Sequence, residues 1–170
     1  MSRDVDHARA KAPKDPRHLD ATDHLILHIL MARGRIPNST LAQAVSVAES
    51  TAHARVRALM DSGIIRGVHA DVDLSALGRP LEALVQVQIQ RSSRDKIKSE
   101  ALRLAERPGV IAIDFLGGDY DLLVRIAAKN SADLSDFVLN ELNAHPEIAK
   151  TKTLTVLEHF RGRQPFGAPT

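Results

Sequence analysis

The sequence predicts an α+β protein in two parts, a helical module followed by a domain of strands and helices. Three observations carry that prediction. Up to about residue 62 the apolar residues recur at intervals of three and four, the spacing of helices with one face inward. From residue 85 they alternate with polar residues, as in Val85-Gln86-Val87-Gln88-Ile89-Gln90, the mark of half-buried strands. Between the two regimes stands the break Gly78-Arg79-Pro80.

Residues 1–18 carry Arg3, Arg9, Lys11, Lys14 and Arg17, two prolines and almost no large apolar residue. Such a segment cannot bury enough surface to order itself, and it reads as a disordered basic tail. Leu19-Asp20-Ala21-Thr22-Asp23 then reads as a helix start. Asp20 caps the orphan amides, and two acids sit at the positive end of the helix dipole. Leu25, Ile26, Leu27, Ile29 and Leu30 carry this helix to Gly34. A second helix begins at Pro37-Asn38-Ser39 with Leu41 and Val45 inward. The third runs from about Glu49 to Ser62, where Gly63 supplies a left-handed stop. Ile64-Ile65 and Val68 to Val72 alternate as short strands, the expected wing. Residues 19–73 are therefore read as a winged helix-turn-helix module, and Leu74 to Pro80 as the linker.

Residues 81–160 have the second period. After the Val85–Ile89 strand, Ile97, Ala101 and Leu104 repeat at helical spacing until Pro108-Gly109. Val110 to Leu116 and Tyr120 to Ala127 read as strands joined by a hairpin turn across Gly117-Gly118-Asp119. Ser131 is the expected cap of a helix carrying Leu134, Val138 and Leu142, which stops at His145-Pro146. Ile148 to Glu158 forms the last strand, and 161–170 a flexible tail. The order βαββαβ is the ferredoxin-like arrangement. Helices cover one face of such a sheet only, so self-association is the economical way to cover the other.

Composition excludes several classes. The chain is 44% hydrophobic and 3% aromatic without tryptophan, so its core is built mostly from Leu, Ile, Val and Ala. It has no cysteine, which removes disulfides, thiol catalysis and cysteine metal sites together. No apolar run approaches the roughly 18 residues of a membrane span, and no signal-peptide apolar region opens the chain, so a cytoplasmic protein is expected. The formal net charge of +2 is small, so any affinity for nucleic acid must come from where the charges lie. His24 and His28 have the i, i+4 spacing of a metal pair, but no further ligands complete it, and no metal site is expected. Asp119-x-Asp121 is weak ground for Mg²⁺. No P-loop, dinucleotide fingerprint or Gly-x-Ser-x-Gly elbow appears, and neither an enzyme nor a cofactor is expected.

The third helix carries the chemistry. At about 100° per residue, Ala52, Val56 and Leu59 fall on one side, and Ser50, His53, Ala54 and Arg57 gather on the other. The second face is short, polar and free of carboxylates, which suits a helix that enters a major groove and reads base edges. The candidate DNA contacts are Asn38, Ser39, Ser50, Thr51, His53, Ala54, Arg55 and Arg57. Arg55, rotated to the side, is either a phosphate contact or an intramolecular partner.

With its elements placed, the chain resembles the leucine-responsive/asparagine-type (Lrp/AsnC, feast/famine) family of prokaryotic transcription regulators over about residues 19–160. The resemblance rests on Leu19-Asp20-x-x-Asp23-x-x-Ile26-Leu27-x-x-Leu30, Gly34-Arg35-Ile36 and Val56-Arg57-x-Leu59-x-x-x-Gly63-Ile64-Ile65. Leu77-Gly78, Gly118-Asp119-Tyr120-Asp121 and Thr151-x-Thr153 extend it. The chain departs from the family pattern at Ser46-Val47-Ala48-Glu49, where Gly-Leu-Ser-Pro is usual, and Ala48 cannot cap the helix that follows. The resemblance implies a regulator that binds double-stranded promoter DNA as dimers assembling to a larger even oligomer such as an octamer. It also implies an amino-acid effector held between dimers at Gly117, Gly118, Asp119, Tyr120 and Asp121, with Thr151 and Thr153 facing the site. Glycine amides suit a carboxylate and an aspartate suits an ammonium group; the same residues also suit a plain turn, and Thr is an ordinary strand former. Alanine, leucine, phenylalanine and similar amino acids all remain open. The rival readings are an amino-acid-sensing subunit or enzyme-associated module without DNA binding, and RNA binding by the sheet, which wants exposed aromatics to stack bases, whereas the four Phe and one Tyr of this chain are not paired on a strand face.

Overall fold

The computed structural model describes residues 19–160 and Gly162; the expected tails at 1–18 and, apart from Gly162, at 161–170 lie outside the described residues. The chain divides into two compact units between Asp71 and Val72.

The first unit holds three helices, α1 (Ala21–Arg33), α2 (Asn38–Ala44) and α3 (Glu49–Asp61). Asp20 caps α1 as expected: its side chain accepts from the Asp23 amide at 2.8 Å, and Asp23 answers toward the Asp20 amide in a reciprocal capping box. Gly34, at φ +64°, ends the helix. Ile26, Leu41, Val45 and Leu59 form the core of the unit, with Val56, Ile64 and Ile65 packed against it. The expected wing strands are not formed: residues 64–73 contain neither strand nor helix. Val68 and Val72 are about half exposed, so the alternation read there buries no face that would hold it as a strand.

The second unit is a four-stranded antiparallel sheet, β1 (Leu81–Ile89), β2 (Val110–Phe115), β3 (Leu122–Ala128) and β4 (Ile148–Thr155), in the order β2-β3-β1-β4. The βαββαβ order is complete with α4 (Ile97–Ala105) and α5 (Ser131–Asp136), and this is the ferredoxin-like topology. Ala83, Val85, Val87 and Ile89 of β1 and Leu122, Val124 and Ile126 of β3 point to the helices and are buried with Leu104, Phe137 and Leu142. The intervening residues, Leu84, Gln86 and Gln88, face the other side and are half-buried.

Several boundaries differ from expectation for local reasons. A 3-10 stretch, Arg91–Lys96, precedes α4. The cap of α5 is Asn130, whose side chain accepts from the Asp133 amide at 2.9 Å; Ser131 is the first helical residue. After α5 the chain widens into a π-helical segment, Phe137–Asn143, which sequence periodicity does not reveal. The β2–β3 connection is longer than a two- or three-residue turn, because β3 begins at Leu122 instead of Tyr120. The last strand ends at Thr155, three residues early; the Val156 amide still donates to the Glu82 carbonyl at 2.9 Å, and Leu157 beyond it is 95% exposed. No helix among the described residues is long and apolar enough to cross a membrane.

Candidate nucleic-acid interface and effector loop

The connection between α2 and α3 is tight. The Val45 amide donates to the Leu41 carbonyl at 3.0 Å and the Val47 amide to the Ala42 carbonyl at 3.0 Å. Ser46 sits between them at φ +55°, the one residue other than glycine with positive φ among those described. A side chain in that left-handed region costs about 1–2 kcal/mol relative to glycine. Ala48 occupies the α3 cap position and makes no side-chain cap, and Glu49 stands in the first turn, where its charge favours the helix dipole.

Burial on α3 follows the two predicted faces. Ala52 and Leu59 are fully buried and Val56 packs on the core, while Ser50, Thr51, His53, Ala54 and Arg57 are exposed. Asn38 and Ser39 are exposed at the start of α2. Arg55 takes the intramolecular option. Its Nη1 donates to Asp20 Oδ2 at 2.7 Å and to Asp23 Oδ1 at 3.0 Å, joining the middle of α3 to the capping box of α1. The Asp23 side chain is only 4% exposed, so this guanidinium compensates a buried carboxylate. The Asp23 amide and then Arg55 hold the Asp20 carboxyl below its ordinary value, and the two aspartates push the Arg55 guanidinium up.

In the second unit, the β2–β3 loop closes with the Leu116 amide on the Asp121 carbonyl at 2.8 Å and the Asp121 amide on the Val87 carbonyl at 2.9 Å. Gly117, Gly118 and Asp119 are exposed, Tyr120 is half-buried and Asp121 is buried. Gly118 stands at φ +143°, a conformation that side chains rarely adopt. The two aspartates are therefore unlike. Asp119 projects from the loop tip, its carbonyl held by Gln88 Nε2 at 3.0 Å. Asp121 is turned inward: its Oδ2 accepts the Ile89 amide at 2.8 Å, and its Oδ1 faces Arg94 Nη2 at 3.5 Å.

The register puts Leu122, Val87 and Thr151 side by side, with Thr153 opposite Val85, so both threonines lie on the helix-facing side of the sheet. Thr151 Oγ1 donates to Asn143 Oδ1 at 2.9 Å, and Thr153 is exposed on the edge strand. The loop end at Asp121 and Thr151 thus share one end of the sheet, two strand spacings or about 10 Å apart. An open depression of about 250 Å³ between Arg107, Phe137 and Asn140 is a different place, and none of its lining residues belongs to the candidate set.

Residues 19–60 match the family model of the AsnC-type helix-turn-helix domain, and residues 82–166 match that of the Lrp/AsnC ligand binding domain. The HTH-type transcriptional regulator AldR of Mycobacterium tuberculosis is 42% identical over 160 residues, 93% of this chain and 89% of that protein. The chain belongs to the Lrp/AsnC family. The crystal structure of MtbAldR is similar with a TM-score of 0.74 at 38% identity, covering 87% of this chain and 98% of that one. A complex of the Neisseria meningitidis transcriptional regulator NMB0573 with L-Met is similar with a TM-score of 0.77 at 27% identity, covering 85% and 93%. Within this Lrp/AsnC architecture, sequence reading missed the residues that hold the candidates in place. Gln88, Arg94 and Asn143 bond to Asp119, Asp121 and Thr151. Only the Gln86-Gln88-Gln90 run carried any signal, as polar residues on an otherwise apolar strand.

Proposed function

We propose that this Lrp/AsnC-family transcription regulator reads double-stranded promoter DNA with α3 and takes a free amino acid as effector at the β2–β3 loop. The single observation that carries the DNA reading is the exposed, carboxylate-free face of Ser50, His53, Ala54 and Arg57 on a helix whose opposite side packs into the core. Asn38, Ser39 and Thr51 border that face, and Arg55 positions it. Basic and hydroxyl side chains there meet phosphates and base edges without a carboxylate to repel the polyanion.

The effector reading is supported by the exposed glycine amides at 117 and 118, the outward Asp119 and the L-Met complex of the Neisseria relative. In that reading Tyr120 walls the site and Asp121 builds the loop from within. Thr151 and Thr153 complete the site from β4, the edge strand beyond β1. Assembly is supported by the uncovered side of the sheet, where Leu84 lies beside Leu154 and Leu123 beside Gln86. A second copy covering this face makes the dimer, and the effector binds where dimers meet in a larger even oligomer such as an octamer. The regulator acts in the cytoplasm, where its promoter is.

Melting curves recorded with each of the twenty amino acids, followed by mobility shifts on the chain's own upstream DNA, test the proposal. A selective rise in Tm, with a matching change in duplex binding, is expected for one small set of amino acids. Binding to no duplex above background would overturn the DNA reading, and an unchanged Tm for all twenty would overturn the effector reading.

A further inference from the structure

We propose that Glu100, His145 and Glu147 form a binding site for a divalent transition-metal ion of the zinc type. The three residues come from separate parts of the second unit. Glu100 is a buried residue of α4, His145 closes the turn after the π-helical segment, and Glu147 immediately precedes β4. Backbone bonds fix the last two: the His145 amide donates to the Leu142 carbonyl at 3.0 Å, the Ile148 amide to the His145 carbonyl at 3.0 Å, and the Gln90 amide to the Glu147 carbonyl at 2.7 Å. Nothing in the sequence spacing announces the cluster, because Glu100 is remote from the other two along the chain.

The geometry is that of three converging donors. His145 Nδ1 lies 3.7 Å from Glu147 Oε2 and 3.9 Å from Glu100 Oε2. Both separations are longer than an ordinary hydrogen bond but within ion-pair range, so the imidazole faces both carboxylates at loose contact. One donor atom from each residue lies within 4.8 Å of the other two, so a point exists no more than about 2.8 Å from all three. Closure by less than roughly 1 Å brings each donor to the 2.0–2.2 Å of zinc–nitrogen and zinc–oxygen bonds and leaves a fourth position for water. The donor set selects the ion. An imidazole nitrogen suits Zn²⁺ and its neighbours, whereas Ca²⁺ and Mg²⁺ want shells of oxygen alone. Two carboxylates neutralise the dication.

The surroundings support the carboxylates and also weaken the site. Arg103 Nε donates to Glu100 Oε2 at 3.0 Å, and Lys96 Nζ reaches Glu147 Oε1 at 3.2 Å, leaving the oxygen that faces His145. Metal-bound carboxylates are held by such outer hydrogen bonds. The same two cations repel an incoming ion, which sets the expected affinity in the micromolar range, far below closed structural zinc sites. Lys96 is 54% exposed, so water can solvate its ammonium group if an ion displaces it from Glu147. An ion held here bridges α4, the end of the π-helical segment and the entry to β4.

Zinc titration of the full chain, freed of metal by a chelator and followed with a competing indicator dye, tests the site, because the other histidines take up zinc in every variant equally. Wild type is expected to hold one Zn²⁺ that is weakened at least about tenfold in His145→Ala and in Glu147→Gln. Lys96→Gln is expected to bind more tightly, since it removes a repelling charge. Zn²⁺ at the concentration that half-saturates wild type should raise the Tm of wild type and raise that of Glu147→Gln less. Circular dichroism checks each fold; should His145→Ala fail to fold, Glu147→Gln and Lys96→Gln carry the comparison. Equal zinc binding by wild type and Glu147→Gln, or no binding by wild type below about 100 µM, would overturn the proposal.

Discussion

Arg55 binds Asp20 across 35 residues of sequence, with Nη1 2.7 Å from Oδ2, and the same nitrogen reaches Asp23 at 3.0 Å. Asp20 and Asp23 are also the two halves of the capping box that opens α1. One guanidinium therefore ties the middle of α3 to the first turn of α1, and the helix that carries the proposed DNA face is oriented by the cap of another. Its neighbour two residues on, Arg57, is exposed.

Opposite phenotypes follow for the two arginines. Arg55→Ala leaves the nearly buried Asp23 carboxylate without its cation, and a loss of about 1–3 kcal/mol in unfolding free energy is expected. Arg57→Ala should leave Tm nearly unchanged and weaken promoter binding by about 1–3 kcal/mol. Denaturant melts and mobility shifts on both variants check this. A stable Arg55→Ala protein, or an Arg57→Ala protein of undiminished DNA affinity, counts against the assignment.

The ion pair also sets a pH dependence. The folded Asp20 carboxyl lies below its unfolded value of 3.8, through the Asp23 amide first and Arg55 second. A depressed carboxyl contributes stability that is complete above the unfolded value and is lost as pH falls through the folded one. Asp20→Asn keeps a capping oxygen and removes the charge. The gap in Tm between wild type and Asp20→Asn should thus be constant near neutrality and narrow below about pH 4. Thermal melts across that range decide it; a gap that widens on acidification contradicts the linkage.

Ser46 and Ala48 are places where this chain is less stable than it could be. Ser46→Gly relieves the left-handed backbone at φ +55° but loosens the unfolded chain, for a net gain of about 0.5–1 kcal/mol. Ala48→Ser supplies the missing α3 cap, worth about 1 kcal/mol. Urea midpoints should rise for both and add in the double variant. No gain from Ala48→Ser would mean that Glu49 at the dipole already meets the need.

What was legible in the sequence was whatever local periodicity and capping determine. Asp20, Gly34 and Gly63 marked the ends of α1 and α3, and the alternation through Val85, Val87 and Ile89 marked both β1 and its buried face. The wing was misread because Val68 and Val72 alternate without anything to bury them, and burial, not alternation, holds a strand. Asn130 took the cap expected of Ser131 because either side chain suits the position, and the backbone register selects. The partners of the candidate residues were hidden for a different reason. Arg94 reaches Asp121 and Asn143 reaches Thr151 through tertiary placement, which no local spacing encodes.

That hidden placement separates the two aspartates of the β2–β3 loop, which the sequence presents as equals. Asp121 accepts the Ile89 amide from a buried position, so Asp121→Ala should lower the unfolding free energy by about 1–3 kcal/mol and impair effector response only through the fold. Asp119 is exposed, and only its backbone carbonyl is held, by Gln88. Asp119→Ala should leave circular dichroism and Tm as in wild type. If its carboxylate meets the effector's ammonium group, calorimetry with the amino acid selected by thermal shift should show the binding heat lost. Basal DNA binding should persist in the same protein, because α3 is untouched. Gly118→Ala is the weaker test of the loop, since φ +143° makes any side chain there strained. Wild-type binding heat in Asp119→Ala would mean that the loop is a turn and that the effector is held elsewhere.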